Sequence, residues 1–332
     1  MFRILSALAL ACALSCAAAA QEKGKQDGPK VSGGERDAAQ KIEKAKGTEA
    51  KLQAAAAFVK KYPQSPLRPQ IADAIAREIT ATTDQQAKGS LAQTFLEIFN
   101  LPEEAPLVTA SLLISYINTG QTQDAMRVGA EWLAKHPDDI ETMQNLTILA
   151  TGEVIKGNAA YMQQGRDYGA KAIEQLEADK MPAGWDAAKW PAVRQQVLVS
   201  LYRETGVLAH LSGDKEAARR LLEKAAALRS NDPGVYLLLA DYTAADYDLR
   251  SKAYNVAAAG EQKAAALKAA EAALDNLIEA YARAVAMTDG DARYKPANDG
   301  LRTDLERNYK FRHKGSAEGM QQLIDKYKKP AQ

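Results

Sequence analysis

At 332 residues the chain is long enough to bury an ample core. Its 43 Lys plus Arg against 42 Asp plus Glu leave it almost neutral, which argues against a nucleic-acid binder. Alanine makes up about a fifth of the residues and aromatics 6%, a composition that points to closely packed helices, alanine being the best helix former.

The first twenty residues read as a secretory signal peptide. Arg3 precedes the apolar run "ILSALALACAL", and Ala18-Ala19-Ala20 supplies the small residues of a cleavage site. The run is too short to span a bilayer, so no transmembrane helix is expected once it is removed. "ALSC", residues 13–16, is similar to a bacterial lipobox, with Ala13 in place of the usual leucine. Cys16 is therefore a second processing site, whose acylation would give a membrane tether. Cleavage after Ala20 and lipidation of Cys16 both imply export, to the periplasm or to an outer-membrane-associated position. Cys12 and Cys16 are the only cysteines, so the exported part has neither disulfide nor thiol chemistry. Residues 21–36 hold four glycines and a proline without an apolar cluster, and read as a flexible tether.

From residue 37 to 248 the pattern is helix after helix. "KLQAAAAFVKKYP" stops at Pro63, and "PLRPQIADAIAREI" restarts with prolines in its first turn, where a missing N–H costs nothing. Breaks follow at Pro102, Gly120 and Pro137. The stretch 152–198 keeps helical periodicity but has a long second helix and a connector, "MPAGWDAAKWP", and reads as a degenerate repeat with an insertion. Residues 249–328 form a C-terminal region. There an alanine-rich helix over about 250–287 carries Leu267, Leu274, Leu277, Ile278 and Tyr281 on one face. A terminal helix pair follows, with Gly315 as a stop and Ser316 as an N-cap.

Two stretches share one set of intervals. Around Gly120, Leu112 lies eight before, Tyr116 four before, Ala125 five after and Pro137 seventeen after. Around Gly213, Gly206 lies seven before, Ala218 five after, Leu222 nine after and Ala225 twelve after, with Pro233 slightly late. These offsets resemble the tetratricopeptide repeat, about 34 residues of helix–turn–helix. "AFVKKYPQS" and "EWLAKHPDD" each carry an aromatic five residues before a proline. That feature is similar to repeats of exported bacterial envelope proteins. The resemblance implies an all-α, right-handed α-solenoid in which the glycine makes the turn, the small residue lets the helices cross, and each pair buries its apolar face on the next. It further implies a concave groove lined by the first helices: Leu107, Ala110, Ile114 and Ile117 in one unit, Ser200, Arg203, Val207 and His210 in another. The second set would suit a segment with an acidic end.

Chemistry is harder to find. His136, His210 and His313 stand far apart, with no second histidine or carboxylate pair at metal spacing. "DGDARYKPANDG", from Asp289, has Arg293, Tyr294 and Gly300 where an EF-hand needs a donor, a glycine and a glutamate, so it reads as an acidic turn. "NYKFRHKG" (308–315) mixes basic and aromatic residues, but its cations crowd a helix C-terminus, where they suit the dipole. No cofactor, metal or catalytic residue is implied. The reading is a non-catalytic scaffold or adaptor of the cell envelope, binding a protein partner in the groove. The rival is an envelope enzyme or glycan-binding protein with its site in 152–198, around Trp185, Asp186 and Trp190, or in 250–328.

Overall fold

The computed structural model describes residues 31–182 and 185–328. The expected signal peptide, Cys16 and most of the expected tether lie outside the described residues. Fourteen α-helices and no strand occur among the described residues, so the all-α class is what forms. The chain divides after Leu112 into two compact units.

The first unit holds α1 (Gly33–Lys44), α2 (Thr48–Lys61), α3 (Arg68–Ala81), α4 (Gln85–Ile98) and the start of α5 (Pro106–Asn118). Helix α1 begins inside the stretch expected to be tether. Ser32 accepts from the Glu35 backbone and Glu35 accepts from that of Ser32, a reciprocal cap that composition alone concealed. Leu52, Ala55 and Phe58 of α2, Ile75 and Ile79 of α3 and Phe95 of α4 are buried in a core where the three helices pack together. An ion pair is sealed within it. Arg68 donates from Nε to Glu104 Oε1 (2.6 Å) and from Nη2 to Oε2 (2.8 Å), while Glu104 also accepts from the Leu101 backbone (3.0 Å).

The second unit continues with α6 (Thr122–Lys135), α7 (Ile140–Ile155), α8 (Met162–Glu177), α9 (Trp190–Leu211), α10 (Lys215–Ala227), α11 (Pro233–Val256), α12 (Glu261–Thr288), α13 (Lys295–Arg312) and α14 (Met320–Asp325). Each helix from α6 to α12 packs on the next, α7 also touches α9, and α14 packs on α12. Aspartates cap the starts: Asp139, Asp214 and Asp232 accept from backbone N–H groups in the first turns of α7, α10 and α11.

The ends of the first helices explain the glycine spacing. Gly120 and Gly213 adopt φ of +72° and +86°. Gln121 N–H reaches back to Tyr116 C=O and Asp214 N–H to Ala209 C=O, closing each helix with the left-handed residue that glycine adopts without strain. Ala125 and Ala218 are fully buried, as their offsets predict, and Tyr116 is buried with them. Pro137 sits in an exposed turn, three residues before α7 starts.

Three expectations need correction. The second helix expected to be long in 152–198 is α8, Met162–Glu177, an ordinary partner of α7, which closes at Gly157 (φ +95°) by the same left-handed device. The alanine-rich helix does not begin near 250, because α11 runs to Val256 and α12 starts only after Gly260 (φ +91°). Gly315 does end a helix, at φ +92°, but α14 begins at Met320, so Ser316 caps only a turn, accepting from Glu318 N–H (3.1 Å).

Candidate functional site

Helix α8 positions the surroundings of the site by being small where it crosses its neighbours. A Cβ on Gly165 would lie 2.5 Å from Ala150 Cβ and 3.0 Å from Leu208 Cδ1. On Gly169 it would stand 3.2 Å from Thr147 Cγ2 and from Thr205 Cβ, and nearer still to Thr205 Oγ1. These two glycines, four residues apart on one face, let α8 lie against both α7 and α9. Gly129 does the same for α6 and α7, since its Cβ would be 2.6 Å from Leu146 Cδ1. Trp132 donates its indole N–H to Asp139 (2.6 Å) and stacks on His136.

The opposite result holds for the other side of α7. Glu141, Asn145, Ile148, Gly152 and Ile155 fall at three- and four-residue intervals, and none is buried. Ile148 is 39% exposed and Ile155 66%. Neither is among the residues that the repeat offsets single out in the sequence. On α5, Leu107 and Ile117 are half-buried and Ala110 and Ile114 exposed.

Beside α9 lies a cleft of about 600 Å³. Gln195, Ser200 and Arg203 of α9 form one wall; Arg229 and Asp232, between α10 and α11, form the second; Arg293 and Tyr294, in the 3-10 turn before α13, close it. It takes in Ser200 and Arg203 but not Val207 or His210, and no α5 residue lines it. His210 is committed elsewhere, its Nδ1 2.7 Å from the Tyr242 hydroxyl.

Arg203 does not offer a free charge. Its guanidinium donates to Asp232 Oδ2 (2.8 Å) and to the buried carboxylate of Glu204. Burial pushes the Glu204 carboxyl above its ordinary range, against the pull of Arg203. The Arg203 guanidinium, expected to anchor an acidic end, thus already faces carboxylates of its own chain. Arg293 is likewise held by Asp291 (2.6 Å). Arg229 differs, as no carboxylate among the described residues pairs with it.

The tryptophan connector is built for packing. Trp190 is buried, donates from Nε1 to Asp179 (2.9 Å) and meets Trp185 edge-to-face at 5.5 Å. Asp186 accepts from the Ala188 backbone (2.9 Å). Glu177 nearby accepts from Tyr202 and Lys224, both at 2.6 Å, and Lys224 first and Tyr202 second hold its carboxyl below the ordinary range. At the far end, Arg312 binds Asp275 (2.7 Å) and His313 stacks on Tyr309, so the basic–aromatic run is tied into the surface of α12 and α13. Among the described residues no three His, Cys, Asp or Glu could hold a metal ion, and no helix is long and apolar enough to cross a membrane.

No protein-family model matches the chain, and no curated protein matches it. The structure aligns with the crystal structure of a tetratricopeptide repeat protein from Parabacteroides merdae, at 12% identity and a TM-score of 0.38, over 87% of this chain and 95% of that one. The fold class rests on the helices themselves.

Proposed function

We propose that the chain is a non-catalytic scaffold or adaptor of the bacterial cell envelope, receiving a segment of a protein partner along the open faces of the first helices of its pairs. The observation that carries this reading is the α7 face, where Ile148 and Ile155 stand exposed on a helix otherwise clamped by α6, α8 and α9. Large apolar side chains held rigidly at the surface are the anchors that interaction sites use. The envelope assignment is supported by the pattern of residues 1–20 and by the Cys16 lipobox likeness, both outside the described residues.

The test is recovery of crosslinked partners from living cells through a C-terminal tag, with wild type beside Ile148→Lys/Ile155→Lys. Both positions face solvent, so the double variant should keep its Tm and lose a defined partner. Unchanged recovery with a folded variant would refute the groove. Arg203 is unsuitable for such a test, because reversing its charge would leave Glu204 and Asp232 facing a third like charge.

A further inference from the structure

We infer that the cleft beside α9 receives an acidic side chain of an extended partner segment, with Arg229 holding its carboxylate; this deepens the scaffold reading and rests on it. The starting point is a backbone anomaly. Helices α8 and α10 end as the first helices do, with one left-handed residue, but use Asp179 (φ +54°) and Arg229 (φ +60°) instead of glycine. Arg229 N–H bonds Ala226 C=O and Ser230 N–H bonds Ala225 C=O, the same closure as at Gly213. A residue with a Cβ pays for this conformation, and glycine would not.

At Asp179 the gain is visible. Its carboxylate accepts from the Trp190 indole and pairs with Arg194 (3.3 Å), and short polar residues tolerate the left-handed region best. Arg229 has neither advantage. It is exposed, lines the cleft, and has no ion-pair partner among the described residues. The third such residue, Lys314, leads straight into Gly315 on an exposed turn. A strained backbone that presents an unused guanidinium to a cleft points outward, to something the chain does not supply.

Charge sets the ligand. Arg203 and Arg293, the other two guanidinia of the cleft, already face Asp232 with Glu204 and Asp291, which leaves Arg229 as the one guanidinium of the cleft that no carboxylate among the described residues faces. A single carboxylate would pair with it, and the planar fork of arginine can take both oxygens. Gln195, Gln196 and Asn231 along the walls supply donors and acceptors for an extended backbone, and Tyr294 an apolar face. A peptide segment with one Asp or Glu fits this set.

The experiment is selection of a random displayed peptide library on the full chain. Enriched peptides are then made with a fluorescent label and measured by anisotropy against wild type and Arg229→Gly. The expected peptides share an Asp or Glu. Changing it to the amide, or Arg229 to Gly, weakens binding about tenfold or more, and the two changes together weaken it no further. Because glycine suits the left-handed backbone, Arg229→Gly should also raise Tm by a few degrees; a lower Tm would make the arginine a packing residue and overturn the inference. Peptides without a common acid, an amide effect that persists in Arg229→Gly, or displacement by free glutamate at millimolar concentration would each overturn it. If those peptides still lose binding to Ile148→Lys/Ile155→Lys, the scaffold reading stands alone. No enriched peptide would sink both.

Discussion

The tightest crossing in the second unit, Gly169 of α8 against Thr205 of α9, makes a prediction that can be worked through. Thr205 is buried, and its Oγ1 has no hydrogen-bond partner among the described residues. In Gly169→Ala the new Cβ falls inside contact distance of that oxygen and 3.2 Å from Thr147 Cγ2. Turning the threonine about χ1 can bring its methyl to the same place, and its Cβ stays 3.2 Å away in every rotamer. Overpacking of this kind costs about 1–3 kcal/mol, against about 1 kcal/mol gained by alanine over glycine in a helix. The single variant should be less stable by up to about 2 kcal/mol. In Thr205→Ala, removing an unsatisfied buried hydroxyl gains about 1–3 kcal/mol, and the lost methyl costs about 1 kcal/mol, so this variant should match or exceed wild type. With Oγ1 and Cγ2 both gone, the double variant keeps the propensity gain and loses most of the clash. It should be at least as stable as Thr205→Ala, a coupling of about 2 kcal/mol. Urea unfolding followed by far-UV circular dichroism, with equal slopes across the four proteins, reads each value. Single effects that add to within about 0.5 kcal/mol would show that the helices relax apart and that the glycine does not set the crossing.

Three further outcomes follow from other contacts. Glu104→Ala strands the Arg68 guanidinium, only 6% exposed, and should cost the first unit about 3–5 kcal/mol in denaturant unfolding, whereas Arg68→Met/Glu104→Leu should cost far less. Glu177 is held below its ordinary pKa in the folded state, so its contribution is present above the unfolded carboxylate range and disappears as pH falls through the lower folded value. The Tm gap between wild type and Glu177→Gln should therefore be open at neutral pH and close in acid, and solvent screening keeps it within about 1 kcal/mol. No residue from 241 to 269 is buried, so amide hydrogens in that part of the α11–α12 hairpin should exchange well ahead of those in α9; equal protection would mean that something covers the arm.

What the sequence disclosed was backbone punctuation. Gly120 and Gly213 could be read because glycine is what a left-handed closure selects, and because Ala125 and Ala218 repeat at the same distance from them. Gly157 closes α7 in the same way, yet the fifth residue after it is Met162, so the repeat disappeared from view. The small residues had moved to Gly165 and Gly169, where they serve α7 and α9 together. Gly260 was lost inside a run of alanines whose helix propensity masked the break. The site was harder to see because it depends on pairings between distant residues. Arg203 is visible as a charge, but its neutralisation needs Glu204 turned into the core and Asp232 brought up by the start of α11.

The two halves of the candidate surface have one physical origin. Helix α8 can lie against both α7 and α9 only because Gly165 and Gly169 remove the side chains that would hold it off. That arrangement satisfies the Thr147–Ala150–Val154 side of α7 and leaves Ile148 and Ile155 without cover. It also fixes α9, whose next neighbours are α10 and the left-handed turn at Arg229. A substitution that swells α8 should therefore weaken partner binding without touching any exposed residue. A substitution at Arg229 should weaken it while leaving the packing intact. Comparing Gly165→Val with Arg229→Gly, each for stability and for peptide binding, separates the scaffold from the surface it holds. The first should lose both properties, and the second only binding.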